Sequence, residues 1–421
     1  MKFKIVYPKW EKLEHQTHFN LPPHGPIVMA ADLPVDVNAE IVDENVEPID
    51  FDDHADLIGL SVMLTSQIKR AWAIAQEYQK RGLKVIFGGI ATMLHADETL
   101  AYADSVFLGE AEGRMGQVIA DFKNNRLQKI YNYLSNPPDI GLVGNARRDL
   151  LKREYYQHKG VQMVDLVHAS RGCQFNCYPC CAAYLGGRQF RPRSIDKAIA
   201  EMESIDNNRL FIVDNSLAQD KEWEKELFRE MIPLKKKWCS HSIENDPEVL
   251  DLAAQAGAWY VYQAVFDDSK FIRDRIKQYH NFGIGVEATV LLGMDNQSEE
   301  DIFRILDLLH ETEVELAEFT VLTPFRQTKA YDDLYRENRI IDFDWNHYNA
   351  GKVVFQPKHM SPERLQELYH IAWNSFYEKE SQPEKMFKLY MKVIEREMQD
   401  GTYQSLRRDL KNHSFGKNIQ R

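Results

Sequence analysis

The sequence predicts an α/β protein made of two successive parallel βα units and a helical C-terminal segment. Three observations carry that prediction. Short apolar runs alternate with helical periodicity through the first third; six further strand and helix pairs run from 161 to about 335; and the chain after residue 359 carries no strand signal. The expected units are 1–137, a linker over 138–160, a partial (β/α)6 barrel over 161–335 and a helical domain over 336–421.

In the first unit, Phe3 to Tyr7, Ala39 to Val42, Leu57 to Met63, Lys84 to Phe87 and Ser105 to Leu108 read as strands, with a helix from about Ser66 to Lys80. Gly88-Gly89 follows "KVIF" and Gly109-Glu110 follows "SVFL". Such turn chemistry at the carboxyl ends of a doubly wound sheet marks an expected ligand crevice. The stretch "SNPPDIGLVGNARRD" is polar, Pro-containing and aperiodic, and reads as a linker. Beyond it, Val164 to Ala169, residues 209–216, Trp238 to His241, Trp259 to Val265, Gly285 to Leu292 and residues 318–324 read as strands. Helices are expected from Ser194, near Pro247, near Lys270 and after Ser298, which pairs with Asp301 as a capping box. Ser361-Pro362 opens the C-terminal helices.

With 52 Lys and Arg against 64 Asp and Glu, the formal charge is −12. That surface repels a polyanionic backbone, so nucleic acid is not an expected partner. No apolar run approaches the roughly 20 residues of a spanning helix, and the first residues read as a strand, so neither a membrane segment nor a leader is expected. A cytoplasmic monomer is the expectation. Four of the five cysteines fall between 173 and 181. This makes a poor disulfide framework and a plausible metal site in a reducing compartment.

Cys173, Cys177 and Cys180 have the spacing C-x3-C-x2-C. Three thiolates on one loop can hold three irons of a four-iron cluster and leave the fourth open. A structural zinc is the competing reading; it needs four closed ligands, the last from His168 or Cys239. Cys181, adjacent to Cys180, is expected to be a bystander.

"RGCQFNC" followed by "FRPRS" resembles the radical S-adenosylmethionine superfamily. "FIVDNSLAQ", "NDPEVLDLAAQAGA", "GIGVEATVLLGMDNQSEEDI", "EFTVLTPFRQTKAYDDL" and "VVFQPKHMSPERLQELY" are similar to the branch that couples the barrel to a Rossmann-like cobalamin-binding domain. "DLIGLSVMLTSQIKRAWAIA", "KVIFGGIATMLHADETL" and "YADSVFLGEAEG" resemble that domain. The resemblance implies a [4Fe-4S] cluster on Cys173, Cys177 and Cys180, S-adenosylmethionine and cobalamin as cofactors. It implies a C-methyltransferase: one S-adenosylmethionine methylates cob(I)alamin, a second gives the 5′-deoxyadenosyl radical, and methylcobalamin methylates an unactivated sp3 carbon.

The resemblance also nominates residues. Ser61, Thr65, Ser66, Gly88, Gly89, Gly109 and Glu110 would line the cobalamin surface, with tight βα turns as the alternative for the glycines. Asp214, Asn215, Ser240, His241, Gln263 and Glu287 would meet S-adenosylmethionine at strand ends; caps, turns and satisfied interior polar groups are the alternatives. "YQAVFDDS" departs from the superfamily's Glu-containing fourth-strand motif. Asp52-x-His54 only partly matches the Asp-x-His-x-x-Gly ligand motif, since Leu57 stands in the last place, so cobalt is expected without an axial histidine. Arg171, Arg188, Arg191 and Arg193 could hold a carboxylate, tune the cluster or be solvated; Tyr178, Tyr184, Tyr331 and Tyr348 are candidate pocket aromatics. An electron donor of ferredoxin or flavodoxin type is implied. A protein or peptide substrate is the expectation, specifically a glutamine of methyl-coenzyme M reductase. The competing readings are a cobalamin-assisted cyclase or rearrangement enzyme, and a cobalamin sensor with structural zinc. The basic tail 405–421 reads as a solvated end.

Overall fold

The structure, a computed structural model, describes residues 1–15, 20–158, 161–162 and 164–403, so the basic tail lies outside the described residues. The N-terminal sheet consists of β1 (Lys2–Tyr7), β2 (Asn38–Asp43), β3 (Leu57–Ser61), β4 (Lys84–Gly88), β5 (Ser105–Leu108) and β6 (Ile130–Asn132). Its order is β2-β1-β3-β4-β5-β6 and every pairing is parallel. β6 has no counterpart in the sequence reading. It is three residues long and buries only Tyr131, too little for an apolar run to show.

The second sheet follows in simple sequence order: β7 (Asp165–Val167), β8 (Arg209–Ile212), β9 (Lys237–His241), β10 (Ala258–Val265), β11 (Gly285–Leu292) and β12 (Leu316–Val321). All are parallel, as a (β/α)6 partial barrel requires. Period-2 alternation divides each strand between two faces. Val261, Val265, Val286, Val290 and Phe319 join the helix-packed outer core, whereas Leu166, Phe211, Cys239, Tyr260 and Tyr262 form an inner cluster.

That inner cluster also contains Leu389 and Val393 of the helix Gln382–Gln399. This helix closes the barrel at the amino ends of its strands. Arg209, the first residue of β8, pairs with Glu397 at 2.9 Å with neither side chain exposed, and Trp259 Nε1 donates to Leu389 O at 3.1 Å. The preceding helix, Pro362–Phe376, packs on Glu299–Glu311 and on β12. Tyr377 Oη accepts from Ala317 N at 3.0 Å and donates to Ala317 O at 2.8 Å, taking up groups that edge strand β12 would leave unpaired.

The C-terminal segment is less uniformly helical than its sequence suggests. Residues 340–355 run as irregular chain around one 3-10 turn, Trp345–His347, closed by a bridge between Ile340 and Phe355. Trp345, Tyr348 and Val354 from this run are buried in the core beneath the N-terminal sheet. The third part of the chain therefore touches both sheets.

Removing one member of a fully buried ion pair strands the other charge. Glu397→Ala is expected to cost about 3–5 kcal/mol, read as a lowered melting temperature, because Arg209 loses a carboxylate that shares its buried site at the barrel floor.

Candidate active site at the facing carboxyl edges

The cysteine loop leaves β7 and returns through a two-residue antiparallel ladder, Ser170-Arg171 against Arg191-Pro192. Gly172 makes the turn at φ +77°, and a Cβ there would fall 2.0 Å from Gln189 O. Only glycine fits that approach. Asp214, just past β8, fixes the start of the loop: its carboxylate accepts from Ala169 N at 2.8 Å and from Ser170 Oγ at 2.5 Å. Burial raises its pKa to about 7, against the opposing pull of those hydrogen bonds.

Gln219 clamps the first cysteine. Its Nε2 donates to Cys173 Sγ at 3.6 Å and its Oε1 accepts from Gln174 N at 2.8 Å. Ala182 N donates to Cys180 Sγ at 3.4 Å. Burial, then the neighbouring Cys180 and Cys173 sulfurs, raise the Cys177 thiol. Three thiols on one loop, with N–H donors aimed at two of them, fit a cluster with one open iron. The two nominated fourth ligands for zinc are engaged elsewhere. Cys239 is buried in the inner barrel wall with its Sγ on Leu210 O, and His168 Nδ1 lies 3.2 Å from His24 Nε2.

The loop is bound to the N-terminal sheet by charge. Arg171 donates to Glu110 at 2.8 Å and to Glu112 at 2.5 Å, and Arg191 donates to the same Glu110 carboxylate. Burial works against the Glu110 anion, yet Arg191 and Arg171 outweigh it and hold its pKa below the usual carboxylate range. Arg193 is buried on Glu201 and His168 O. Of the four arginines around the cysteines, Arg188 reaches, among the described residues, only Asn176 on the exposed loop. Tyr184 and Leu185 of the loop pack on the N-terminal core.

Two cavities open beside this interface. The first, about 330 Å3, is a mostly apolar slot at the carboxyl edge of the N-terminal sheet; Ser61, Gly88, Gly89, Gly109 and Glu110 all line it. Gly89 adopts φ +96°, and a Cβ there would sit 2.5 Å from Val62 O. Such a glycine-walled slot fits part of a large flat cofactor. Thr65 and Ser66 do not line it. They face the second cavity, about 220 Å3, together with Cys181 and Tyr348. His54 precedes β3 and so lies at the opposite, amino edge, where it is largely exposed.

The candidate S-adenosylmethionine residues separate by strand face. His241 points into the barrel, its ring 6.0 Å from Phe211 and 5.6 Å from Tyr262. Glu287 lies on the same inner face, and burial, then Glu318, pushes it up to about 8. Ser240 and Gln263 alternate with inner residues and fall on the outer, helix-covered face. Each side chain bonds a neighbouring carbonyl, His241 O at 2.7 Å and Ala264 O at 2.8 Å. Asp214 and Asn215 border a third cavity, about 200 Å3, with His24, His168 and Arg171. Of the pocket tyrosines, Tyr348 lines the second cavity; Tyr331 stacks on Tyr335 at 5.8 Å and Tyr178 is exposed. Gln219, Ser170, Glu112 and His24 were not singled out from the sequence. Gln219 sits in "FIVDNSLAQ", where only its position after the second strand could have marked it.

This geometry defines a fold class: a parallel doubly wound sheet and a six-stranded parallel partial barrel that carries a three-cysteine loop, joined edge to edge. The solved radical S-adenosylmethionine methyltransferase TsrM from Kitasatospora setae, with cobalamin and a [4Fe-4S] cluster bound, superposes with TM-score 0.63 at 15% identity over 87% of this chain and 85% of that one. The cobalamin-dependent S-adenosylmethionine radical enzyme OxsB superposes with TM-score 0.66 at 13% identity over 96% of this chain and 71% of that one. These likenesses show the fold. In sequence, the chain is 24% identical to the bacteriochlorophyllide d C-8(2)-methyltransferase of Chlorobaculum tepidum over 367 residues, 80% of this chain and 81% of that one. No family model matches the chain. The chain is thus similar in sequence to a bacteriochlorophyllide methyltransferase and in fold to cobalamin-dependent radical S-adenosylmethionine enzymes.

Two measurements check the site. Cys177→Ala is expected to abolish iron binding on anaerobic reconstitution, while Cys181→Ala retains it. Glu287 keeps its proton when folded at pH values where the unfolded chain has lost it. Its stabilising effect is complete below the unfolded carboxyl pKa of about 4.3 and is lost as pH rises through about 8. The melting temperature of cofactor-free protein should fall between about pH 4 and about pH 8, and Glu287→Gln should flatten that fall.

Proposed function

We propose that the protein is a cobalamin-dependent radical S-adenosylmethionine C-methyltransferase acting on an unactivated sp3 carbon. The observation that carries this reading is the ion-paired contact that sets the three-cysteine loop against the glycine-lined slot of the N-terminal sheet. When bound, the cluster and S-adenosylmethionine supply radical chemistry and the cobalamin supplies the methyl group.

The protein's own part is positional. Cys173, Cys177 and Cys180 would hold the cluster, with Gln219 and the Ala182 amide donating to sulfur and so tuning its potential. Ser61, Gly88, Gly89, Gly109 and Glu110 border the slot that would take part of the cobalamin. His241 and Glu287, on the inner barrel face, would meet S-adenosylmethionine; Asp214 instead serves the loop. Cobalt would be bound without a protein imidazole, because His54 stands at the wrong edge of the sheet. The reductant would be of ferredoxin or flavodoxin type, and the chain would act as a cytoplasmic monomer. Among the described residues no helix is long and apolar enough to cross a membrane. No residue argues for the methyl-coenzyme M reductase glutamine.

The deciding experiment is anaerobic reconstitution, then turnover with S-adenosylmethionine and a low-potential reductant. About four irons and four sulfides per chain are expected, with both 5′-deoxyadenosine and S-adenosylhomocysteine formed. Deoxyadenosine without S-adenosylhomocysteine would point to a cyclase or rearrangement enzyme. One zinc without sulfide would point to the sensor.

A further inference from the structure

The start of the chain runs as a strap beside the 220 Å3 cavity. Trp10, Glu11 and Leu13 form part of the cavity wall, and the strap then turns at Glu14 and His15. Its first half is tied to the N-terminal unit: Trp10 N donates to Asn45 Oδ1 at 3.2 Å, and Gln67 Nε2 donates to Pro8 O. Its far end meets helix Pro362–Phe376 of the C-terminal segment. There the His15 ring stacks on Trp373 at 4.8 Å with 15° between the planes.

Three side chains of ligand type meet at that far end. One donor atom each from Glu14, His15 and His370 lie within 4.8 Å of one another. His15 Nε2 is buried and has no hydrogen-bond partner, a state that calls for a water or an ion. Gln366, one turn before His370 on the same helix, fixes the form of the second ring. Its Oε1 accepts from Val353 N and its Nε2 donates to Gly351 O, each at 3.0 Å, so the amide turns its N–H side toward His370 Nε2, 3.5 Å away. That ring nitrogen therefore carries the lone pair, and the contact is too long to engage it fully. Glu14 is exposed, so rotation of its side chain brings its carboxylate to the separation of roughly 3.4 Å that ligands at about 2.1 Å from a tetrahedral zinc require. Two imidazoles and one carboxylate suit borderline divalent transition ions, whereas calcium and magnesium want oxygen throughout.

We propose that Glu14, His15 and His370 bind a divalent transition-metal ion of the zinc class, which latches the N-terminal strap to the C-terminal helix and so holds that wall of the cavity in place. Three protein ligands leave the fourth position to water. The ligands come from opposite ends of the chain, so the ion closes a very long loop on folding. The site is separate from the cysteine loop and does not rest on the methyltransferase reading.

The test uses the full chain carrying Cys177→Ser and Cys180→Ser, which removes the competing thiol site. Titration with zinc against a chromophoric chelator is expected to show about one tight equivalent per chain. On the same background His370→Ala, and His15→Phe, which keeps a ring on Trp373, should each weaken that binding about a hundredfold, and Glu14→Gln severalfold. Circular dichroism establishes that each variant is folded. Cleavage by trypsin after exposed Lys12, followed by mass, reads the latch: zinc should slow it severalfold in the parent and leave it unchanged in His370→Ala. No tight zinc on the parent, or equal binding in both histidine variants, overturns the site; cleavage that zinc does not slow overturns the latch. Zinc bound here is lost with His370 and not with the cysteines, which separates it from a structural zinc on the cysteine loop. Turnover of the cluster-loaded wild type judges the methyltransferase reading on its own, and its failure leaves the zinc result standing.

Discussion

The contact on which the rest of the site depends is the shared carboxylate of Glu110, gripped by Arg171 and Arg191 from either flank of the cysteine loop. Arginine forks fix direction as well as distance, so this contact sets the orientation of one sheet's edge on the other. Glu112 on Arg171 balances the second positive charge, leaving two carboxylates against two guanidiniums in a largely desolvated seam. Such a network gains little net stability over an apolar seam, but breaking one member is expensive. It therefore resists small slips of the loop, and a displacement of about 1 Å between reacting groups can cost on the order of a hundredfold in rate.

Around that seam the loop is fixed at each of its turns by a different device. Gly172 lets the chain enter under Gln189 O, Asp214 pins Ala169 and Ser170, Gln219 spans Cys173 and Gln174, and Arg193 is buried on Glu201. Cys177 and Cys180 are exposed while Cys173 is buried, so the loop is anchored at its first sulfur.

The architecture was legible because both sheets are parallel and covered by helices, which makes each strand a short apolar run between helical periods. β11, for example, spans the residues read from its pattern, Gly285–Leu292. The cysteine triad was legible for another reason: its ligands are local in sequence. What could not be read was contact at a distance. Nothing in "GEAEG" says that its two glutamates meet arginines some 60 and 80 residues later, as the separations of 61 and 81 for Glu110 show. The strand-end nominations divide by strand face. His241 and Glu287 lie on the inner face, while Ser240 and Gln263, each beside an inner residue, lie on the outer one, a difference that period-2 alternation alone could have exposed.

Sealing the barrel at its amino ends also gives the chemistry its direction. Leu389 and Val393 fill the floor, and the Arg209–Glu397 pair is fully buried beside them. Access to the inner face, with His241 and Glu287, is therefore from the carboxyl side, where the cysteine loop and the N-terminal sheet close over it. Trp345 and Tyr348 reach from the C-terminal segment into the N-terminal core, and helix Gln382–Gln399 from the same segment forms the floor. The last third of the chain thus braces both sheets at once. A site of the proposed kind would need water kept out and its two halves kept in register, and here one segment of chain serves both needs.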